Sequence, residues 1–380
     1  MNDTLAIEHL KEILQIDTTN PPGNERLVAD KLQSIFAAYG IPTEEVVYEE
    51  DRVNVIATLR GDGSSTEVIG LSGHMDVVPP GEQPWDYPPF SATEQDGKIY
   101  ARGACDMKSG LMAIVATMCR LKQSRKELPF DVKCFASVGE EAGAVGAKQL
   151  AEGGYTDDVS AMIVTEPTSG NVIITHKGAL WLELTTRGRT AHGSRPDRGV
   201  NALMHMVAIM NELNRSEFQL SHETDPRLGG PTMSMNVLSA GSNTNVVPDL
   251  CRLQLDIRTV PSMQHEDVIR AVQDRIDSVN KTIPELDAHI SVLNDLPPMQ
   301  TEEDHPFAQF VLEHFQRPAK GMTGYTDGSQ FMRAQSKYPI IIWSAIRGET
   351  AHQPNEWVAI DDYVQTIEQL EGLLWHYGSR

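Results

Sequence analysis

A histidine and an aspartate two residues apart close an apolar run in VIGLSGHMDVVPP, residues 68–80. On an extended segment residues i and i+2 share a face, so His74 and Asp76 would project together. A carboxylate beside an imidazole is the arrangement that orients histidine as a metal ligand, and a satisfied histidine near a turn gives the same dipeptide spacing. Other apolar runs end in comparable groups: Asp106 in YARGACDMKSG, Glu140 and Glu141 in CFASVGEEAG, Glu166 in AMIVTEPTSG and His352 in ETAHQPNEW. Singly, Asp106 could cap a helix and Glu140 and Glu141 could be solvated charges opening one. Glu166 could be a strand-end carboxylate, and His352 a surface loop residue. Their joint placement after separate apolar strands argues for one site. Two imidazoles with several carboxylates form a mixed nitrogen and oxygen donor set without thiolate. Such a set suits Zn2+, or Co2+ or Mn2+ in the same geometry.

The elements that would carry these groups are legible from periodicity. An amphipathic helix with Leu10, Ile13 and Leu14 in helical spacing stops near Pro21-Pro22-Gly23. Strands are predicted at 53–59, 68–72, 132–138 and 161–165, with a buried helix from Ser109-Gly110 to Leu121 and another helix at 142–150. Strands alternating with helices predict an α/β catalytic domain, with a largely parallel sheet and helices on both faces. Near residue 178 the rhythm changes. Strands at 180–186, 233–238, 252–259 and 289–293, with helices at 201–213 and 267–279, read βαββαβ, the ferredoxin-like pattern with helices on one face of an antiparallel sheet. After Pro297-Pro298 the first pattern resumes, with a strand at 339–345 and a helix at 361–377. The expected domains are therefore 1–177 and 294–380 for the catalytic part, with 178–293 inserted.

Composition bounds the function. A chain of 380 residues exceeds the size at which one core usually stops growing, and two domains follow. With 32 basic and 53 acidic residues the formal charge is −21, which repels nucleic acid and anionic membrane and is compatible with holding cations. Four cysteines form no C-x-x-C pair and are expected to be free and mostly buried. Charges at Glu8, Lys11 and Glu12 interrupt the opening segment, and no run of 18 apolar residues follows, so a cytoplasmic location is expected.

Taken in order, these motifs resemble the dinuclear metallohydrolases comprising succinyl-diaminopimelate desuccinylase, acetylornithine deacetylase, aminoacylase-1 and glutamate carboxypeptidase. The resemblance runs over nearly the whole chain. It implies that His74 and Glu166 hold one of two divalent metal ions, that Glu141 and His352 hold the other, and that Asp106 bridges both. Asp76 would orient His74, Glu140 would be the general base, and the peptide after the bridging aspartate, Asp106-Met107, would be cis. Two cations sharing a water lower its pKa and polarise the scissile carbonyl, while an adjacent carboxylate moves the proton. Glu140 and Glu141 can divide the roles of base and ligand because neighbouring side chains diverge.

The same resemblance makes the insertion a lid and dimerisation domain of a homodimer. His192, in GRTAHGSRPDRGVNAL, would stabilise the oxyanion in the partner's site; otherwise it is an exposed loop histidine. Asn245 and Arg258 match substrate-binding positions, with Arg258 suited to a substrate carboxylate, although an outward strand residue would look the same. Thr326, Asp327 and Gly328, in GYTDG, match a substrate-binding glycine loop. The implied substrate is a small N-acyl amino acid or a short peptide. TDGSQF departs from the T-S-D-G-R-F form of strict succinyl-diaminopimelate desuccinylases, and AHQPNEW also resembles acetylornithine deacetylase. The resemblance therefore admits a desuccinylase, acetylornithine deacetylase or other aminoacylase, or a metallo-dipeptidase or carboxypeptidase. A metal-dependent binding or scaffold protein on the same fold is the non-enzymatic alternative, and it would have no need of a non-ligand base at Glu140.

Overall fold

The run VIGLSGH has no polar alternation because neither of its faces meets water: all seven residues of the strand Val68–His74 are buried. The computed structural model describes residues 1–215, 220 and 224–380. The strands of the large sheet lie in the order Thr43–Glu49, Arg52–Leu59, Asp131–Ser137, Val68–His74, Ala161–Val164, Ile340–Ile342, Val172–His176 and Met299–Gln300. Ala319–Met322 pairs beside Val172–His176. Pairing is parallel from Asp131–Ser137 through Ile340–Ile342 and antiparallel at Arg52–Leu59, Thr43–Glu49 and Val172–His176. The sheet thus has a parallel heart with antiparallel flanks. Parallel register sets His74 opposite Ser137 and Ser72 opposite Val164, so the C-terminal ends of three strands open at one level. Open α/β sheets place their sites at those ends.

Both faces of the sheet are covered. Along Asp131–Ser137, Val132, Cys134 and Ala136 join a core cluster with Leu10, Leu32, Leu111, Ile114 and Leu370 from the helices Asp3–Leu14, Glu25–Ala38, Ser109–Gln123 and Ile360–Tyr377. Phe135 points the other way and meets the Phe331 ring at 6.2 Å between centroids.

The helix expected at 142–150 starts later. Glu140–Ala142 forms one 3-10 turn, Gly143 takes φ +106°, and the α-helix runs Val145–Glu152. The α-helix thus starts three residues later than expected, and the separate turn keeps both glutamates at the strand end. The strand expected at 339–345 contracts to Ile340–Ile342.

The chain divides into two compact units, Met1–Thr175 with Met299–Gly321 and Thr326–Arg380, and His176–Pro298 with Met322–Tyr325. The second holds an antiparallel sheet in the order Thr232–Ala240, Leu250–Thr259, Gly178–Arg187, Asp287–Leu296, with helices Ala202–Leu213 and His265–Asn280. This is the βαββαβ sequence with its first and third strands central. Leu180, Leu182 and Leu184 alternate inward against Met206, Ile209, Val272 and Ile276 of the helices. All four cysteines are buried and free. Among the described residues, no helix is long and apolar enough to cross a membrane.

Candidate metal centre

Asp106 sits at the start of the segment leading into the helix Ser109–Gln123, and its two carboxylate oxygens face different histidines. Oδ1 lies 3.4 Å from His74 Nε2, and Oδ2 lies 3.3 Å from His352 Nε2. Each imidazole has a second carboxylate of its own: Glu166 Oε1 is 3.8 Å from His74 Nε2, and Glu141 Oε1 is 3.1 Å from His352 Nε2. His74, Asp106 and Glu141 each present a ligand atom within 4.8 Å of the others. Glu140 Oε2 lies 3.9 Å from His74 Nε2, about as far as Glu166. The peptide bond Asp106–Met107 is cis.

Local structure explains this convergence. Gly139, at φ +69°, turns the chain out of the strand Asp131–Ser137 so that Glu140 and Glu141 follow at once. Gly110 lets the helix Ser109–Gln123 press on the strand end that carries Glu166, since a Cβ there would lie 2.1 Å from the Thr165 carbonyl oxygen. Asp76 anchors the rest. Its Oδ1 accepts the Glu140 N–H at 3.0 Å, and its Oδ2 accepts the Glu141 N–H at 3.2 Å and the Asn20 amide at 2.8 Å.

His74 Nδ1 lies 3.0 Å from the backbone carbonyl of Asp76 and 3.4 Å from its carboxylate. A ring nitrogen committed to the carbonyl leaves Nε2 with its lone pair aimed at the carboxylates. That atom is buried and has no hydrogen-bond partner among the described residues.

The electrostatics are those of a site short of positive charge. Burial alone would lower the His74 pKa, yet Asp106 and Asp76 hold it well above the usual imidazole range. The Asp106 and Glu141 carboxylates push His352 up to about 10, against its partial burial. Burial raises Glu140 well above the usual carboxylate range, with Glu166 and Glu141 adding repulsion that His74 partly offsets. Glu166 is raised well above that range by burial and by Asp106. Asp106 stays low despite burial because His352 and His74 flank it. Divalent cations would relieve this crowding, and imidazole plus carboxylate is the donor set that binds them.

The family comparison fits this arrangement. The sequence pattern of peptidase family M20/M25/M40 matches residues 70–376. The chain belongs to that family. It is a metallohydrolase of the M20 type and acts on amides. The M20 chain is 31% identical over 393 residues to a probable succinyl-diaminopimelate desuccinylase of Staphylococcus epidermidis, covering 95% of each. It is 28% identical over 386 residues to the acetylornithine deacetylase of Myxococcus xanthus, covering 99% of each. In fold it is similar to aminopeptidase PepT from Bacillus cereus, with TM-score 0.79, 18% identity and full coverage of both chains. It is also similar to the Bacillus subtilis YXEP protein, a dinuclear metal-binding peptidase of family M20, with TM-score 0.74, 18% identity and coverage of 99% and 98%.

Within this M20 fold, the first unit brings together His74, Asp76, Asp106, Glu140, Glu141, Glu166 and His352. Asp327 is 1% exposed and accepts the Ser137 hydroxyl, and its pKa is raised to about 6 by burial, partly offset by His74. Thr326 and Gly328 are buried beside it. As the structure stands, these three lie beneath the surface, so contact with substrate would need them uncovered. The second unit carries the other three residues. His192 is exposed, with Nδ1 2.8 Å from the Ser194 hydroxyl, and it forms an isolated antiparallel bridge with Val246, next to Asn245. Arg258 is already held by Asp256, at 2.8 and 3.1 Å. Asn20, before Pro21-Pro22, and Glu356, next to last in AHQPNEW, support the site although no local pattern in the sequence marks them.

Proposed function

We propose that this chain is a dinuclear-metal hydrolase that removes the acyl group from an N-acyl amino acid, with specificity like that of succinyl-diaminopimelate desuccinylase. The observation that carries the dinuclear reading is Asp106, which turns one oxygen toward the His74 and Glu166 pair and the other toward the His352 and Glu141 pair. The donors fit the cations: His74 Nε2 is buried, orphaned and surrounded by carboxylates. His74, Asp106 and Glu166 would hold one ion, and Asp106, Glu141 and His352 the other. Zn2+ suits the set best, and Co2+ or Mn2+ accept the same donors. Bound there, the two ions would supply Lewis-acid polarisation of the scissile carbonyl and acidify the attacking water.

The chain's own residues do the rest. Glu140, buried beside the donors and held at its backbone N–H by Asp76, takes the proton from the attacking water and returns it to the departing amine. Asp76 fixes Glu140 and Glu141 through their backbone N–H groups. In a homodimer formed through the second unit, His192 of one subunit donates a hydrogen bond to the developing oxyanion in its partner's site. Asn245 and Arg258 bind the substrate, Arg258 exchanging Asp256 for a substrate carboxylate. Thr326, Asp327 and Gly328, once uncovered, also bind the substrate.

Full-length similarity to the desuccinylase and to the deacetylase supports an acylated amino acid, and the AHQPNEW segment keeps acetylornithine as the second reading. The test is kcat/KM on the Zn2+- or Co2+-loaded protein for N-succinyl-diaminopimelate, N-acetylornithine, other N-acyl amino acids and dipeptides. N-succinyl-diaminopimelate should rank first. A best substrate without a free carboxylate removes the role of Arg258, and preference for dipeptides replaces the deacylase reading with a peptidase.

A further inference from the structure

Glu356 stands four residues after His352, fully buried, and the metal site makes no direct use of it. All four acceptor positions of its carboxylate are filled. Oε1 accepts the N–H groups of Cys105 at 2.9 Å and Asp106 at 3.1 Å; Oε2 accepts Arg102 Nη1 at 2.6 Å and the Gly103 N–H at 3.1 Å. The Glu356 carbonyl in turn accepts the Ala101 N–H at 3.0 Å. One side chain therefore ties the backbone that presents Asp106 to the loop that presents His352.

Arg102, 1% exposed, extends the tie. Its Nη1 also reaches the Gln353 carbonyl and its Nη2 the Pro79 carbonyl, each at 3.4 Å, and its guanidinium lies 5.1 Å from the centre of the Trp85 ring. Pro79 follows the segment of His74 and Asp76, so three site-bearing loops meet at one ion pair. The loop of His352 needs such a restraint. His352 takes φ +63° and Asn355 φ +57°, left-handed conformations that persist only where surrounding contacts over-determine them.

We propose that Glu356 is a positioning residue of the metal centre: its carboxylate fixes the distance between Asp106 and His352, and so the geometry and affinity of the ion those two would share. The proposal rests on the reading of Asp106 and His352 as metal ligands. A glutamine at this position keeps one acceptor and turns its NH2 toward two donors. An aspartate keeps the charge but is one methylene too short to reach both donor pairs.

The experiment titrates metal-free protein with Co2+ and with Zn2+, counting bound ions and recording the Co2+ visible spectrum, with circular dichroism to show that each variant is folded. Glu356→Gln should keep one ion near wild-type affinity, weaken the second by about 10- to 100-fold and alter the Co2+ spectrum. Glu356→Asp should show the same fault; if the glutamine variant does not fold, the aspartate variant alone decides. Full affinity for two ions and an unchanged spectrum in a folded Glu356 variant overturns the proposal. Asp106→Asn, run alongside, separates it from the reading beneath: loss of metal there upholds Asp106 as a ligand, whereas retention of both ions overturns the metal assignment and the proposal with it.

Discussion

Asp76 Oδ1 accepts the backbone N–H of Glu140 at 3.0 Å, and both residues are buried. The carboxylate that the sequence pairs with His74 is thus also the clamp on the turn carrying Glu140, the proposed base. Replacing it disturbs two things at once. Asp76→Asn leaves one acceptor where two oxygens now serve Glu140, Glu141 and Asn20, so kcat should fall by about 10- to 100-fold with a smaller change in KM. Steady-state kinetics on protein of measured metal content checks this.

Glu140→Ala should separate chemistry from binding. Two-ion occupancy should remain near that of the wild type while kcat falls by at least about 10²-fold, the scale of lost acid–base catalysis. Metal analysis and turnover on one preparation decide it. Wild-type turnover removes Glu140 from the mechanism.

Removing metal should cost stability as well as activity. Without cations, the acidic groups of Asp106, Glu140, Glu141 and Glu166 crowd around His74 and His352. Chelation should abolish turnover and lower Tm, and Zn2+ or Co2+ should restore both, the rise in Tm growing with free metal concentration. A Tm indifferent to metal would contradict the donor assignment.

His176 sets an acid limit away from the candidate metal centre. Burial lowers its pKa from 6.5 to about 4, while its Nδ1 donates to the Lys177 carbonyl at 2.8 Å. The unfolded chain then binds a proton at this position below pH 6.5 that the folded chain refuses until about pH 4. The associated stability is complete above 6.5 and lost progressively on acidification through that window, by roughly 3 to 4 kcal/mol in all at about 1.4 kcal/mol per pH unit. Melting curves of wild type and His176→Gln between pH 4 and 7 should converge toward the acid end. Parallel curves would exclude the effect.

The cross-subunit role of His192 has a complementation test. Glu140→Ala and His192→Ala subunits should each be poorly active alone. Exchanged in equal amounts they should recover roughly a quarter of wild-type activity, because half the dimers are mixed and each mixed dimer has one intact site. Mass measurement must show the heterodimers. Mixed dimers without recovery would place His192 outside the partner's chemistry.

Where the site was legible, chain order and strand ends made it so. VIGLSGH, CFAS and AMIV are apolar because their strands are buried, and the polar residues that follow must emerge at one edge of a parallel sheet. The second unit was legible because Leu180, Leu182 and Leu184 alternate at period two while Val268, Val272 and Ile276 recur at helical spacing. Partner choice was not legible. His74 Nδ1 turns to the carbonyl of Asp76, while the carboxylate of Asp76 turns to Glu140 and Glu141, and only the fold of the intervening backbone decides this. Glu356 and Cys105 are 251 positions apart, so no local pattern announces their bond. The ion pair of Arg258 with Asp256, two residues away on one strand face, could have been read from LDIR and was not.

Gly110 has a bearing on how such a site can change. Its backbone presses so closely on Thr165 that even one methyl group has no room; Asp106 stands four residues before Gly110, and Glu166 follows Thr165 directly. The spacing between these two carboxylate-bearing segments therefore belongs to the main chain. A drifting lineage, or an engineer, can exchange one donor for another and so select a different ion. Neither can widen the gap in small steps, because the first substitution at Gly110 displaces both donors together.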